Sequence, residues 1–382
     1  MKRVLVNFIS IGRNGIDIPR LLKLQAINSL GCELDLFSGT FIKKIEPAEK
    51  DVYTFNETIP EFKSLPEINW TKTKFMLYAL EMNIKGLFRV RGIIKNDYDV
   101  IYSPASVLEF LLIPFVVKLF SRKIIWVSVF DNTVPFTEPG NRFSRFLAWI
   151  FFRFSLALLK KADTIFVVSE DLRDFMLRKG FSRHKIILSA NGIENELIKT
   201  ATADSKYNID ALFVGRINEA KGIYDMLEVL RLVRKKYPHF QLAVMGEGDE
   251  ITKRKFREKI KEMDLGNNVQ LLGFKTGLEK FEIIKSSRCF LFLSTRESFG
   301  IALLEAVCSG IPVLAYDLPQ FARLYPNGEV DISPKGDWKM VAEKVISLFE
   351  RGNFSNEKGK LLIDKYSWKK VAEIEYNAIK IL

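Results

Sequence analysis

The sequence E-S-F-G-I-A-L-L-E-A-V-C-S-G at residues 297–310 follows an apolar run at 289–293 that is typical of a buried strand. Beyond the S-F-G at 298–300, apolar residues recur with helical spacing as far as Cys308, and Gly310 stands where helices commonly place a C-terminal glycine. The pattern therefore predicts a strand, a loop and a helix in succession. The first turn of such a helix has unpaired backbone N–H groups and the positive end of the helix dipole, so it can hold a phosphate group.

Two acidic residues accompany this predicted anion site. Gly300 lets the backbone approach an anion closely, Glu297 precedes the helix, and Glu305 lies inside it. Two carboxylates beside an anion site suit a ligand that has many hydroxyl groups and a phosphate. The alternative is an ordinary helix whose two glutamates are solvated surface acids.

The stretch from Glu297 to Glu305 resembles the E-x7-E signature of the retaining glycosyltransferases with the GT-B fold, most closely glycosyltransferase family 4, and residues 306–315 also fit that family. The resemblance implies an α/β protein with two Rossmann-like domains that face each other across a cleft, and a C-terminal helix that crosses back to the first domain. It also implies transfer of a sugar from a nucleotide-sugar to an acceptor hydroxyl, with retention of the anomeric configuration.

The length and composition indicate a two-domain globular protein. A chain of 382 residues exceeds one typical domain, and a charged fraction of 27% beside 48% hydrophobic residues argues against global disorder. The three cysteines are too few for a disulfide framework or a cysteine metal site, which favours a reducing compartment. The first residues lack the apolar core of a signal peptide, so we predict a cytoplasmic location.

The positive charge is concentrated in the N-terminal half. The formal net charge is +12, and +9 of it lies before residue 191, where 28 Lys and Arg face 19 Asp and Glu. A basic half-molecule implies an anionic partner, which the sequence leaves open among phospholipid headgroups, phosphorylated glycans and nucleic acid.

Two apolar segments of this half also carry cations. Residues 70–95 mix lysines and arginines with apolar side chains, and Glu81 is the one acid among them. Such a segment can lie on the inner face of the cytoplasmic membrane, or pack on the sheet with a solvated basic face. Residues 143–159 are strongly apolar but short for a bilayer span and interrupted by Arg145 and Arg153, so we predict a packed helix there.

The N-terminus predicts the opening of a parallel Rossmann-like sheet, with a strand at 3–10, a helix at about 19–30 and a strand at 33–37. In the family that the chain resembles, the loop after the first strand is glycine-rich and approaches the donor diphosphate. Here Gly15 and one further glycine remain of that pattern, with Arg13 as a phosphate contact. An ordinary strand-to-helix turn explains the same residues equally well.

Asp131 follows a predicted strand at 124–129, at the edge where parallel sheets place ligand-binding residues. Many members of the resembled family carry a His-Asp pair here, whereas this chain has Phe130 before Asp131. The resemblance implies that Asp131 lies near the anomeric centre and orients the acceptor. Because phenylalanine cannot bond the sugar hydroxyl that the histidine would bond, we hypothesise a 6-deoxy sugar or a pentose, or a donor whose sixth-carbon hydroxyl turns away.

The polar stretch at 200–208 and the Asn-Gly turn at Asn191 predict a boundary between two domains. With the resemblance to that family, we predict an N-terminal acceptor-binding domain at residues 1–200, completed by a C-terminal helix at about 366–382. A C-terminal nucleotide-sugar-binding domain is predicted at residues 209–365.

The second domain opens with a strand that runs into Gly215 and Arg216, followed by Lys221. The resemblance makes Arg216 and Lys221 the basic pair that holds the departing diphosphate, because an arginine can bind two phosphate oxygens at once and a lysine acts as a movable charge. Gly246 in a later G-x-G turn is a further donor candidate, although any Rossmann-like unit could need such a turn. Phe274 and Lys275 stand where relatives hold the base.

By the resemblance, Glu297 bonds hydroxyls of the donor sugar, Glu305 bonds the ribose, and the helix start stabilises charge on the diphosphate. The predicted catalytic residues are Asp131, Arg216, Lys221 and Glu297. The predicted donor-binding residues are Arg13, Gly15, Gly215, Arg216, Lys221, Gly246, Phe274, Lys275, Glu297, Ser298, Phe299, Gly300, Ile301 and Glu305. The sequence shows no metal-ligand cluster, and we predict neither a metal site nor a cofactor.

The predicted partners are a nucleotide-sugar donor, a glycan or lipid-linked acceptor and, through the N-terminal domain, an anionic membrane surface. Two other classes stay open. A nucleotide-sugar epimerase of related fold would rearrange the donor without an acceptor, and a nucleic-acid-binding protein would use the basic half. No RNA-binding or DNA-binding signature accompanies the charge.

Overall fold

The computed structural model describes residues 2–8, 17–38, 42–44, 72–134 and 142–382, which form two compact units. The first unit consists of Met1–Gly192 together with Trp368–Leu382, and the second consists of Ile193–Ser367. The chain therefore begins in the first unit, builds the second without interruption, and returns to the first.

The sheet of the first unit has seven strands among the described residues. They are β1 (Arg3–Asn7), β2 (Glu33–Phe37), β3 (Ile42–Lys44), β4 (Val100–Ser103), β5 (Ile125–Phe130), β6 (Thr164–Val167) and β7 (Ile186–Leu188). Their order is β3-β2-β1-β4-β5-β6-β7, and all neighbours are parallel except β2 and β3. β4 and most of β5 are buried and apolar without alternation, which is typical of parallel strands covered on both faces.

Helices follow most of these strands. They are α1 (Asp17–Ser29), α2 (Lys72–Leu87), α3 (Val90–Lys95), α4 (Leu108–Phe120), α5 (Arg142–Leu159) and α6 (Glu170–Arg178). The central helix α4 contacts both α2 and α5, so the three helices form one layer. Within the described ranges, no helix is both long enough and apolar enough to span a bilayer.

The sheet of the second unit is entirely parallel. Its strands are β8 (Ile209–Val214), β9 (Leu242–Met245), β10 (Val269–Gly273), β11 (Ser287–Phe292), β12 (Val313–Tyr316) and β13 (Asp331–Ser333). The order β10-β9-β8-β11-β12-β13 is that of a Rossmann fold. The direction of winding reverses between β8 and β11, which makes this pair the switch point where such sheets bind ligands.

The helices of the second unit alternate with its strands. They are α7 (Asn195–Thr200), α8 (Ile223–Val233), α9 (Glu250–Glu262), α10 (Gly277–Lys285), α11 (Ile301–Cys308), α12 (Pro319–Leu324), α13 (Trp338–Arg351) and α14 (Glu357–Lys360). α8 and α13 pack against each other and bury apolar side chains against β8, β9 and β11. β2 and α11 have the bounds that the sequence predicts.

The last helix, α15 (Trp368–Ile381), belongs to the first unit and packs on α1, which confirms the predicted crossing helix. Glu375 on α15 is fully buried. Its carboxylate accepts hydrogen bonds from Lys23 Nζ at 2.8 Å, from the Tyr102 hydroxyl at 2.6 Å and from the Ser189 hydroxyl at 2.7 Å. Burial and the nearby carboxylate raise the pKa of Tyr102 well above its usual value. These bonds fix the end of the chain to α1, β4 and the segment after β7.

The three cysteines are buried and free. Burial raises the pKa of the Cys32 thiol to about 11 and that of the Cys308 thiol to about 12. Since the thiolate is the reactive form, these side chains act as small core residues.

Candidate functional site

The candidate site lies at the carboxyl ends of β8 and β11, at the switch point of the second unit. The loop after β8 contains Arg216 and a 3₁₀ turn at Glu219–Lys221, and the loop after β11 contains Glu297. The Thr295 N–H donates to the Ala220 carbonyl at 2.9 Å, so the two loops lie against each other. The fold therefore brings residues of two separate motifs to one place.

Lys221 and Glu297 form an ion pair in which Nζ donates to Oε1. The two side chains are only 20% and 12% exposed, respectively, so the pair is partly shielded from water. The side-chain amide of Gln320 donates to the Glu297 carbonyl at 2.9 Å and holds the loop from α12. The structure thus brings together two of the predicted catalytic residues.

Gly222 explains why the loop after β8 can lie so close to β11. Its φ of 73° is in the left-handed region, and a Cβ there would stand 2.1 Å from the Leu293 carbonyl oxygen. The Asn218 side chain accepts a bond from the Lys221 N–H at 3.1 Å and starts the 3₁₀ turn. The backbone around Lys221 is therefore fixed on both sides.

Arg216 is exposed and lies in the same loop after β8 as Lys221. Within the part of the chain that the structure describes, no carboxylate forms an ion pair or hydrogen bond with its guanidinium. An exposed arginine without a carboxylate partner can bind an anion from solution without first breaking an ion pair.

The start of α11 has the features of an anion site. Gly300 is the N-cap with φ 93°, no side chain caps the helix, and its first turn contains no acid. Neither a capping side chain nor an acid of the first turn therefore offsets the positive end of the helix dipole. Ile301 begins the helix, whereas the Phe299 ring is 2% exposed and packs edge-on to Tyr366 with ring centroids 6.2 Å apart. The predicted donor contact of Phe299 cannot come from its ring, which belongs to the core.

Glu305 lies inside α11 and is 7% exposed. Its Oε1 accepts a hydrogen bond from Lys280 Nζ on α10 at 2.6 Å, and the same ammonium lies 3.7 Å from Glu194 Oε2. Each carboxylate of the E-x7-E motif is therefore paired with a lysine from another element. Neither Lys280 nor Glu194 was predicted from the sequence.

The remaining predicted donor residues of the second unit have structural contacts. Gly246 has φ 148°, its N–H donates to the Gly273 carbonyl at 2.8 Å, and a Cβ there would lie 1.9 Å from the Gly215 carbonyl oxygen. This glycine is required by close backbone packing. Lys275 Nζ pairs with Glu279 at 2.8 Å, and Phe274 is 51% exposed at the end of β10. Direct donor contacts of these residues stay predictions.

Asp131 directly follows β5 in the first unit. Its carboxylate accepts a hydrogen bond from Arg20 on α1 at 2.8 Å, and both side chains are partly buried. Arg20 was not predicted, because it is remote from Asp131 in sequence and no motif marks it. Arg13 and Gly15 lie outside the described residues.

Phe130 lies in the core of the first unit. Its side chain is fully buried and stacks on Phe175 with ring centroids 5.8 Å apart and an interplanar angle of 9°, with Phe152 also in contact. A side chain enclosed in this aromatic cluster cannot face a sugar. The hypothesis of a 6-deoxy sugar or a pentose was based on the opposite assumption, so it loses its basis.

Other features of the described residues lie away from this site. A cavity of about 420 Å³ is bordered by Tyr207, Ser287 and Ile311, which precede β8, open β11 and precede β12, so it lies at the opposite edge of the second sheet. His184 and His239 are exposed. No group of three or more His, Cys, Asp or Glu within the described ranges could hold a metal ion.

Comparison with solved structures defines the class of fold. Anabaena HepE in complex with UDP-glucose matches with a TM-score of 0.75 and 15% identity, over 100% of both chains. Sucrose-phosphate synthase from Thermosynechococcus elongatus matches with a TM-score of 0.75 and 15% identity, over 100% of this chain and 99% of that one. The chain therefore has the α/β GT-B fold of glycosyltransferases.

One family model matches most of the second unit. Residues 194–361 match the family model described as Glycosyl transferases group 1. The match lies within the second unit and includes the E-x7-E motif, so it supports the glycosyltransferase resemblance of that motif. The finer assignment to glycosyltransferase family 4 stays a prediction.

The sequence relatives are glycosyltransferases by name. One uncharacterized glycosyltransferase of Methanocaldococcus jannaschii is 34% identical over 125 residues, 33% of this chain and 30% of the relative. A second from that organism is 23% identical over 376 residues, 91% of this chain and 94% of the relative. The phosphatidyl-myo-inositol mannosyltransferase of Mycobacterium leprae is 30% identical over 194 residues, 48% of this chain and 50% of the relative. The first and third of these matches span half of the relative's length or less.

Proposed function

We propose that the protein transfers a sugar from a nucleoside-diphosphate sugar to a hydroxyl group of an acceptor. The observation that carries the proposal is the Lys221–Glu297 pair beside the uncapped start of α11, at the switch point of the second sheet. Cations and backbone N–H groups there suit a diphosphate, and carboxylates suit sugar hydroxyls. The second unit binds the donor, and the first binds the acceptor.

The chemistry requires stabilisation of the leaving group. As the bond between the anomeric carbon and the diphosphate oxygen breaks, negative charge grows on the diphosphate, and Arg216, Lys221 and the start of α11 stabilise it. These groups can supply the positive charge that a divalent metal supplies elsewhere, so the reaction proceeds without a metal. The acceptor oxygen attacks the same face of the sugar and passes its proton to a donor phosphate oxygen, which retains the anomeric configuration.

The two predicted carboxylates have separate roles. Glu297 bonds hydroxyls of the transferred sugar once Lys221 turns towards the diphosphate, and Glu305 accepts from the ribose. In the first unit, Asp131 is held by Arg20 and orients the acceptor hydroxyl. The acceptor is a lipid-linked or polysaccharide molecule, and the phosphatidyl-myo-inositol in the name of the M. leprae relative supports a lipid acceptor.

A panel of donors tests the proposed function. UDP-glucose, UDP-N-acetylglucosamine and GDP-mannose are incubated with the full chain, and released nucleoside diphosphate is measured. At least one donor should release nucleotide, and Glu297→Ala should abolish the release. Glu350→Ala is the matched control, because Glu350 pairs with Lys236 on the exposed surface of the same unit. Absence of release from every donor contradicts the proposal, and an isomerised free donor identifies an epimerase instead.

An anionic membrane surface is the proposed partner of the first unit. On α2, the exposed apolar side chains Leu77, Leu80, Ile84 and Leu87 form one stripe at helical spacing, and the adjoining Phe88 is 84% exposed. The face that is turned inwards has a glycine, Gly86, where α2 meets α4. A Cβ on Gly86 would lie 3.0 Å from Ile113 Cδ1, so this face packs closely on α4. The apolar stripe therefore points to solvent, which is the arrangement of an interfacial helix.

The neighbouring helices extend this surface. α5 also exposes apolar side chains, at Phe146, Ile150, Phe151 and Phe154, and residues 142–162 contain cations but no acid. α4, which lies between α2 and α5, exposes Leu119 and Phe120 near its end. Exposed apolar area combined with arginines and lysines favours anionic lipid over both neutral lipid and nucleic acid.

The full chain should sediment with vesicles that contain phosphatidylglycerol and be released at high salt. The variant Leu80→Glu/Ile84→Glu should bind about tenfold more weakly or worse, because two apolar side chains no longer enter the interface. Leu361→Glu is the control, since Leu361 is 82% exposed in the second unit. Equal binding to phosphatidylcholine vesicles, or wild-type binding by the double variant, contradicts the proposed membrane contact.

A further inference from the structure

The cavity that Tyr207, Ser287 and Ile311 border has the size of a small-molecule site. Its volume of about 420 Å³ lies within the range of roughly 300–1,000 Å³ that such sites occupy. The cavity lies at the amino ends of β8, β11 and β12, whereas the loops with Lys221 and Glu297 follow the carboxyl ends of β8 and β11. A ligand in this cavity would therefore not overlap the candidate donor site.

Lys285, the last residue of α10, lines the cavity and is half-buried. Its ammonium donates to the Ala201 carbonyl at 2.8 Å, and no carboxylate among the residues that the structure describes forms an ion pair with it. Burial and, to a smaller extent, the nearby ammonium of Lys360 lower the pKa of Lys285. A partly desolvated cation that lies near a second cation and has no counter-ion would be stabilised by an anion.

Arg288 adds a second cation to the lining of the cavity. One of its N–H groups donates to Asp210 at 2.9 Å, and the side chain is 53% exposed. A guanidinium has several N–H donors, so this bond leaves others for a ligand. Asp204 is the one acid among the described residues that line the cavity, and it pairs with Lys206 at 2.7 Å. The lining therefore has an excess of positive charge.

The rest of the lining includes apolar and aromatic side chains. Ile311 is 5% exposed, and Phe354 packs edge-on to Phe349 with ring centroids 5.0 Å apart. The Arg288 guanidinium lies 5.6 Å from the centre of the Phe354 ring, and Tyr207 supplies a further aromatic ring. The cavity thus combines two cations with surfaces on which a small ring can pack, which suits a ring compound with a phosphate group.

We propose that this cavity binds a small phosphate monoester, such as a sugar phosphate, at a site separate from the donor site. The phosphate supplies the counter-ion that Lys285 lacks and accepts hydrogen bonds from Arg288. The ring of the ligand packs against Tyr207 and Phe354. This inference goes beyond the proposed function and does not depend on it.

The alternative role of Lys285 is structural. Its bond to the Ala201 carbonyl closes the end of α7, and a cation near the carboxyl end of a helix is favourable. A purely structural lysine would affect the stability of the protein, but the wild type would then bind no phosphate ester at this place. Ligand binding therefore separates the two roles.

Calorimetry on the full chain with glucose 6-phosphate, inorganic phosphate and glucose as probes tests the proposal. Glucose 6-phosphate should bind with a Kd of about 1 mM or lower. Inorganic phosphate should bind more weakly because it has no ring, and glucose should not bind because it has no charge. Excess UDP should leave the Kd of glucose 6-phosphate unchanged, since the candidate donor site lies at the other edge of the sheet.

Lys285→Met should weaken the binding of glucose 6-phosphate by about tenfold or more, because the phosphate loses a charged hydrogen-bond donor. Lys344→Met is the matched control and should bind as the wild type does. Lys344 also donates to a backbone carbonyl, that of Ile332 at 2.6 Å, but it pairs with Asp331. Ser205→Trp should abolish binding, because it fills the cavity from an exposed position and keeps both cations.

The proposal is overturned if the wild type does not bind glucose 6-phosphate, or if UDP displaces it. Binding of glucose or inorganic phosphate as tightly as glucose 6-phosphate also overturns it, as does wild-type affinity in Lys285→Met or Ser205→Trp. If Lys285→Met does not fold, Ser205→Trp decides alone. Donor turnover is measured separately, so failure of this proposal leaves the proposed function intact.

Discussion

Replacement of Lys221 with methionine should lower turnover at saturating donor by roughly 100- to 1,000-fold, the effect of removing a preorganised charge from a developing anion. The Lys221 side chain is partly buried and pairs with Glu297, and its backbone is held by Asn218, so its charge has a defined place at the carboxyl ends of β8 and β11. Donor affinity should change much less, because charge on the diphosphate increases as the glycosidic bond breaks. The measurement is steady-state release of nucleotide from the donor found in the panel.

Lys236→Met is the control for this variant. Lys236 also pairs with a glutamate of the second unit, Glu350, but on the surface. Its turnover should match that of the wild type. A parallel loss in both variants, or an unchanged turnover in Lys221→Met, would show that Lys221 does not act on the leaving group.

The same prediction extends to metal ions. Because Arg216, Lys221 and the helix start are proposed to supply the positive charge, EDTA should leave turnover unchanged. Loss of turnover in EDTA that magnesium restores would refute the metal-free mechanism while leaving sugar transfer itself intact.

Replacement of Glu375 with alanine should cost about 3–5 kcal/mol of stability, the usual result when one partner of a buried ion pair is removed. The variant leaves Lys23 charged and buried, and it removes the acceptor for the hydroxyls of Tyr102 and Ser189. Urea unfolding followed by tryptophan fluorescence reports this, since Trp126 and Trp368 are in the first unit.

Two further variants test whether the loss of stability comes from the buried ion pair. Glu373→Ala removes a carboxylate from the same helix, but Glu373 pairs with Lys370 on the surface, so its cost should stay below about 1 kcal/mol. The double variant Lys23→Met/Glu375→Leu should recover much of the loss, because it removes both charges. Equal destabilisation by Glu373→Ala and Glu375→Ala would show that the buried ion pair contributes no more to the free energy of unfolding than the exposed one.

The loops of the second unit could be predicted because their residues are close in sequence. A buried strand, a glycine turn and an amphipathic helix follow one another within residues 289–310, and local pattern is enough to recognise them. The pairing of Glu305 with Lys280 could not be predicted, because these residues are 25 positions apart on two different helices, and no local pattern links them.

The first unit shows why a substitution in a motif is a poor guide to a ligand. Phe130 and Asp131 are neighbours, and successive side chains along an extended chain point to opposite sides. Phe130 lies in the aromatic cluster with Phe152 and Phe175, while Asp131 bonds Arg20. Phe130 is therefore a core residue, and its presence does not indicate which sugar the donor carries.

The exposed apolar stripe on α2 could not be predicted from the sequence pattern either. The sequence has apolar residues on several sides of this helix, so it does not reveal which side is buried. The structure shows that Ala79, Asn83 and Gly86 face inwards, which leaves the larger leucines and Ile84 in solvent.

The buried carboxylate on α15 also sets an order for biosynthesis. A ribosome releases the residues of the first sheet before those of the second unit, yet Lys23, Tyr102 and Ser189 bond Glu375, which follows the whole second unit in sequence. The second unit is continuous in sequence and can fold as soon as it emerges. The buried hydrogen bonds of Glu375 can therefore form only after the second unit has been synthesised, and until then the nascent first unit holds Lys23 without its buried counter-ion.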